Sequence, residues 1–133
     1  MLDSPTISEN VPIDVAGPMV PLVELSGLFE LAQNPTRVPW QAFRPGVAIH
    51  WLYGENSVGP SAALIWFQEA GTVPMHVHEG HEHILVLAGS QTDQAGTLHA
   101  GTLRVHAPGT SHSITSAAGC IVLAVYNKPV RFL

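Results

Sequence analysis

Short runs of alternating apolar and polar residues, separated by Gly and Pro, occupy most of this chain. Val47-Ala48-Ile49-His50-Trp51-Leu52-Tyr53 is one such run, ended by Gly54; Ala62 to Gln68 is another, with Gly71 at its exit. Glu82 to Leu87, Thr102 to His106, Ser111 to Ser116 and Cys120 to Tyr126 continue the series. Runs of this length, rich in β-branched and aromatic residues, predict strands. Val38 to Phe43 predicts an edge strand, because Pro39 has no N–H to give a ladder. Arg44-Pro45-Gly46, Gly89-Ser90 and Pro108-Gly109 are turn signals, and Gln91 to Gly101 reads as short, turn-rich pieces. Strand signals at spacings of about 8–12 residues indicate an all-β sandwich or barrel.

Two segments depart from this pattern. Leu25, Leu28, Phe29 and Leu31 fall at helical spacing within Val23 to Asn34, with Ser26 as N-cap and Pro35 as stop, which predicts one short helix; a strand at Leu22 to Leu25 is the alternative. Residues 1–21 carry Pro5, Pro12, Pro18 and Pro21 and little periodicity, so they read as an extended N-terminal arm. Residues 22–133 then form one domain. Val130 to Leu133 is an apolar tail expected to pack on a neighbour, and with the arm it points to a homodimer.

Composition narrows the function. Of 133 residues 46% are apolar and only 11% charged, which excludes a disordered chain. The five Lys and Arg are scattered and the net charge is −5, so no basic footprint for nucleic acid exists. No apolar run approaches the length of a membrane span, and the N-terminus has no secretory pattern. Cys120 is the one cysteine, which excludes an internal disulfide; it lies in an apolar run as an inert core thiol. Together these features predict a cytoplasmic protein with neither nucleic acid nor membrane as partner.

The chemistry concentrates in His76-Val77-His78-Glu79-Gly80-His81-Glu82-His83, which holds four of the eight histidines. In an extended chain His76 and His78 point to one face. A short loop follows, and Glu82 then shares a face with Ile84 and Val86. Two imidazoles and a carboxylate can therefore converge inside a barrel, with His112 as a distant, turn-borne addition. Imidazole suits Zn, Cu, Fe and Ni, and a carboxylate extends the set to Mn. His83 has the opposite parity to Glu82 and is expected to face out. His81 falls in the loop, Glu79 on the rim, and His50, His99 and His106 read as isolated structural histidines. No nucleophile elbow and no phosphate loop is present.

These residues resemble two cupin motifs. Gly71-x4-His76-x-His78-x3-Glu82-x6-Gly89 is similar to the first, one residue short at Gly71. Ala107-Pro108-Gly109-Thr110-Ser111-His112 is similar to the second, with its proline adjoining Gly109 and Ser116 where an asparagine is common. Neither departure touches a ligand position. The resemblance spans residues 38–126. It implies a cupin-type double-stranded β-helix, or jelly-roll barrel, with one divalent ion (Fe, Zn, Ni or Mn) on His76, His78, Glu82 and His112.

Glu82-His83-Ile84-Leu85-Val86-Leu87-Ala88-Gly89, Ala100-Gly101-Thr102, Ala107-Pro108-Gly109-Thr110-Ser111-His112 and Gly119-Cys120 further resemble the cupin domain of zinc-binding, ChrR-like anti-sigma factors, with acetylacetone-cleaving and dihydroxyacetophenone-type dioxygenases as relatives. That implies a metal-dependent dioxygenase acting on a small diketone, phenolic or other enolisable compound, with Glu82 loosening to act as a catalytic base. A non-catalytic zinc-binding module and a metal-dependent isomerase or hydrolase are the alternatives. No segment here corresponds to the helical domain with which anti-sigma factors hold a sigma factor, so a regulator role is not expected.

Overall fold

The structure is a computed structural model and describes residues 20–55 and 58–133. Its strands are β1 (Gln41–Arg44), β2 (Val47–Tyr53), β3 (Ser61–Phe67), β4 (Gly71–His78) and β5 (Glu82–Asp93) in the first half. The second half supplies β6 (Gly96–His99), β7 (Leu103–His106), β8 (Ser111–Ser116), β9 (Cys120–Tyr126) and β10 (Val130–Phe132). All pairs are antiparallel, in the order β1-β2-β3-β9-β5-β8-β4-β10, with β6 and β7 also pairing β5. The all-β barrel read from the alternation is therefore the fold.

β5 joins the two sheets. Glu82 to Leu85 pair with both β7 and β9, while Ser90 to Asp93 pair with β6 and Thr92 faces Thr115 of β8. The alternation explains the core. Val47 and Ile49, Ala63, Ile65 and Phe67, Ile84 and Val86, and Cys120, Val122 and Ala124 occupy every second position and fill the barrel. The intervening positions Leu64, Leu87 and Ile121 face outward, where Leu31 and Val38 cover them in a second apolar cluster.

That cover corrects the helix prediction. Val23 to Asn34 forms no α-helix; the chain makes a six-residue 3-10 helix, Leu28–Gln33, and a three-residue one, Pro35–Arg37. The cap is Gly27 at φ 63°, with no side-chain cap bond, and not Ser26. Only Leu31 of this turn is buried, so a single anchor on a sheet replaces the apolar stripe an α-helix needs. Arg37 ties the turn down by donating to the Ser26 and Gly27 carbonyls. Pro35 starts a second turn rather than ending the helix. Of the proposed arm, residues 1–19 lie outside the described residues.

The tail is also corrected. Val130–Phe132 is β10, paired with β4 of its own chain, with Val130 opposite His78 and Phe132 opposite His76. The free edge of β4 accepts it, and its apolar residues complete the barrel wall.

Gly89 sits where β5 leaves one sheet for the other, at φ 72°, and a Cβ there would lie 2.1 Å from the Gly119 carbonyl oxygen. Gly89→Ala should destabilise the fold by more than about 2 kcal/mol, combining left-handed strain and backbone overlap. Urea unfolding midpoints measure this; an unchanged midpoint would contradict the close approach.

Candidate metal centre

Period-two parity alone does not place the site. Along β4, Val73 is buried, Pro74 and Met75 are exposed, and His76 and His78 are buried. Val73 pairs with Ile114 and His76 with His112, so β4 carries one residue more than β8 between those pairs. This bulge at Pro74-Met75 lets Val73 and His76 face inward together despite their odd separation. Proline suits it, since it has no N–H to leave unpaired.

His76, His78, Glu82 and His112 are all buried and come together in the barrel. The rings of His76 and His112 are 4.7 Å apart, those of His78 and His112 4.7 Å, and those of His76 and His78 5.3 Å. Glu82 arrives from β5, the long strand between β7 and β9. His81, His83 and Glu79 are exposed, as parity and loop position predict, and Glu79 pairs with Arg131 at 2.6 Å.

The imidazoles share one orientation. His76 Nδ1 lies 2.8 Å from the Pro74 carbonyl oxygen, which can only accept, so Nδ1 carries the proton. His112 Nδ1 lies 2.8 Å from Asp93 Oδ2 and donates to it in the same way. His78 Nδ1 is 3.0 Å from Thr110 Oγ1, whose own proton goes to the Ala107 carbonyl, so the hydroxyl accepts from the imidazole. Each ring therefore keeps Nε2 as a bare lone pair. The Nε2 atoms of His78 and His112 are fully buried with no hydrogen-bond partner. A buried acceptor left unsatisfied is costly, and a divalent cation would satisfy both.

The spacing also suits a cation. Donor atoms about 2.1 Å from a shared ion, at right angles to each other, stand about 3.0 Å apart. Glu82 Oε1 is 3.0 Å from His78 Nε2, outside hydrogen-bond geometry, and 3.0 Å from His106 Nδ1. His78, Glu82, His106 and His112 each offer a donor atom, all within 4.8 Å of one another. His76 stands beside this quartet, with its ring also 5.5 Å from that of Phe132.

Burial would raise the Glu82 carboxyl, but the hydrogen bond from His106 and the close approach of the His78 and His112 imidazoles outweigh it and bring the pKa down to about 2. Burial holds the His76 and His112 imidazoles below their ordinary value of 6.5, despite the opposing pull of their acceptors and of Glu82. An ionised Glu82 with the His76 and His112 imidazoles disfavoured from protonation is the state a cation needs. Behind His112, burial would raise Asp93, but His112, the Ala95 N–H and Arg104 hold it low; Arg104 Nη1 is 3.0 Å from both its oxygens. Burial and the Glu82 charge push Tyr126 well above its normal range, and burial pushes the inert thiol of Cys120 up to about 11.

His76 and Glu82 line a small inner cavity of about 40 Å3, whose other walls include Phe67, Ile84 and Ile114. Beyond it is an apolar pocket of about 180 Å3 lined by Trp51, Ile49 and Pro129. Phe43, Ile65, Tyr126, Val130 and Phe132 line both spaces. Trp40 and Trp66, by contrast, pack together outside the barrel, with centroids 5.5 Å apart.

The family model of the ChrR cupin-like domain matches residues 30–131. The chain belongs to the ChrR cupin-like domain family. This cupin is 34% identical over 73 residues to the anti-sigma-E factor ChrR of Cereibacter sphaeroides, covering 53% of this chain and 34% of that protein. It thus spans about a third of that relative's length. Its fold matches ChrR in the Rhodobacter sphaeroides SigE complex at TM-score 0.59 and 28% identity, over 67% of this chain and 48% of that one. It matches an acetylacetone dioxygenase of Acinetobacter johnsonii at TM-score 0.65 and 14% identity, over 71% of each chain. At that identity the second likeness concerns the fold alone.

His106 is the residue that sequence reasoning passed over. It lies opposite Glu82 in the β5–β7 register, and its ring stacks on His78 at 4.7 Å and 7°. Taken alone in β7, it carries no H-x-H signal. Its partnership with Glu82 follows from the pairing of β7 with β5, which no local pattern announces.

Because Asp93 fixes the His112 tautomer, Asp93→Asn should lower affinity for Zn2+ or Co2+ by about 10–100-fold while the metal-free melting temperature changes little. Competition against a chromophoric chelator measures the affinity; an unaltered constant would remove Asp93 from the site.

Proposed function

We propose that this cupin is a metal-dependent dioxygenase acting on a small diketone, phenolic or similar enolisable compound. The observation that carries the reading is a buried His/Glu donor set with an apolar pocket leading to it past His76 and Glu82. His76, His78, Glu82 and His112 would hold the ion, one of Fe, Zn, Ni or Mn, and the unpartnered Nε2 atoms support that assignment. When bound, any of these ions would supply Lewis acidity, and Fe, Ni or Mn would also supply the redox-capable centre that oxygen chemistry needs.

The chain's own contributions follow from position. Trp51, Phe43 and Phe132 give an apolar wall that holds a flat, weakly polar molecule and excludes water. Glu82, in this reading the catalytic base, is ionised at all working pH values and lines the inner cavity. Loosened from the ion, it would accept the proton released as the substrate enolises and pass that proton to solvent. Tyr126 stays protonated between the two cavities as a hydrogen-bond donor.

A second reading is a non-catalytic zinc-binding module, supported by the 34% identity to an anti-sigma factor. A homodimer fits either reading, supported by the apolar outer face where Leu103 (60% exposed) and Val105 (51%) stand beside Leu85 and Val125. No helix among the described residues is long and apolar enough to cross a membrane, and the expected setting remains the cytoplasm.

The Fe2+-loaded protein should consume oxygen with at least one small 1,3-diketone or phenolic ketone, and Glu82→Gln should slow this at least about hundredfold. An oxygen electrode reads both; a metal-loaded protein inert to the whole panel would favour the module. Bound metal should persist at neutral pH and be released as pH falls through the lowered imidazole range, below 6.5, because protonated imidazole cannot ligate. Glu82, at about 2, adds no step there. Metal content after dialysis at stepped pH checks this, and full retention at about pH 3 would contradict imidazole ligation.

A further inference from the structure

The cupin motifs leave His106 unassigned, yet it is the histidine most directly engaged with Glu82. Its Nδ1 is 3.0 Å from Glu82 Oε1, and the same oxygen is 3.0 Å from His78 Nε2. The rings of His78 and His106 lie nearly parallel at 4.7 Å, and the ring of His112 stands edge-on to both, at 4.7 Å from His78 and 4.6 Å from His106. Three imidazoles and one carboxylate oxygen thus surround a single point, and their donor atoms fall within 4.8 Å of one another.

Register makes this arrangement obligatory. Glu82 and His106 are direct partners across β5 and β7, so both side chains stand on the same face of the sheet. His106 is the last residue of its strand, just before the Ala107-Pro108-Gly109 turn that leads to His112. One short segment therefore delivers two imidazoles, His106 and His112, to the same point. The inner cavity is lined by His76 and Glu82 and not by His106, whose side chain is 15% exposed on another side of the cluster.

We propose that His106 is an additional metal ligand, binding through Nδ1, so that five protein groups face the ion: His76, His78, Glu82, His106 and His112. The proposal rests on the reading of this cluster as a metal site. Five protein donors would leave a six-coordinate ion one open position, and the cavity lined by His76 and Glu82 is the space from which a ligand would reach the cluster. The site takes ions that accept several nitrogen donors, Fe2+, Co2+, Ni2+ and Zn2+, in preference to oxygen-seeking Mg2+ or Ca2+.

The rival role is a hydrogen bond that only orients Glu82. His106→Asn separates the two, because its amide N–H can still donate to Glu82. Co2+ is the probe, with affinity taken from chelator competition and ligand environment from the visible absorption bands. The full chain should bind Co2+, and His106→Asn should bind it at least about tenfold more weakly with a changed spectrum; His106→Gln should behave alike. An unchanged spectrum in both variants, with or without weaker binding, would overturn ligation by His106 and leave it a positioning residue. His112→Ala is the control for the site: Co2+ lost there but unaffected in both His106 variants sinks this inference alone. Failure of the unaltered protein to bind Co2+ at all sinks the metal reading with it.

Discussion

The Glu82 carboxylate is 2% exposed inside a barrel of Val, Ile, Leu and Phe, and the site is organised by what keeps it charged. An isolated ionised carboxylate in such surroundings would cost several kcal/mol and would protonate instead. His106 of β7 donates to it and the imidazoles of β4 and β8 surround it, with the Nδ1 protons of His76, His78 and His112 held by a backbone carbonyl, Thr110 and Asp93. The arrangement is polar at its centre and apolar around it. It remains electrostatically incomplete, since two buried Nε2 lone pairs have no donor. A cation is the one simple addition that satisfies the carboxylate and both lone pairs together.

The fold supplies this cluster through strand register, not through sequence neighbours. β4 brings His76 and His78, β5 brings Glu82, and β8 brings His112 directly opposite His76. The bulge at Pro74-Met75 sets the face on which the two β4 histidines stand. β10, pairing on the free edge of β4, adds Phe132 beside His76 and so builds the apolar wall next to the polar centre. The same strands shape the pocket, so the His/Glu cluster and the apolar pocket are two faces of one wall.

Support of His112 extends to the surface through Asp93 and Arg104. Arg104 is a quarter exposed and Asp93 almost buried, so this pair anchors a buried imidazole to the rim of the barrel. Nothing in the sequence of β7 announces that the partner of Arg104 is Asp93, eleven residues earlier. The antiparallel pairing of Ile84 with Arg104, and the long course of β5 past Gly89 to Asp93, decide that contact.

By itself the sequence determined the elements that depend on local period and punctuation. The spans of β2, β8 and β9 follow from alternation between Gly and Pro, and the outward parity of His83 from its position beside Glu82. The grouping of His76, His78 and Glu82 was legible because donor side chains two to six residues apart leave a local trace. Contacts between strands distant in the chain left none. The 3-10 turn around Leu31, the return of Val130–Phe132 onto β4 and the approach of His106 to Glu82 were fixed only by tertiary structure. In each case a residue's partner is chosen by register across a sheet, and register is a property of the closed barrel that no single strand encodes.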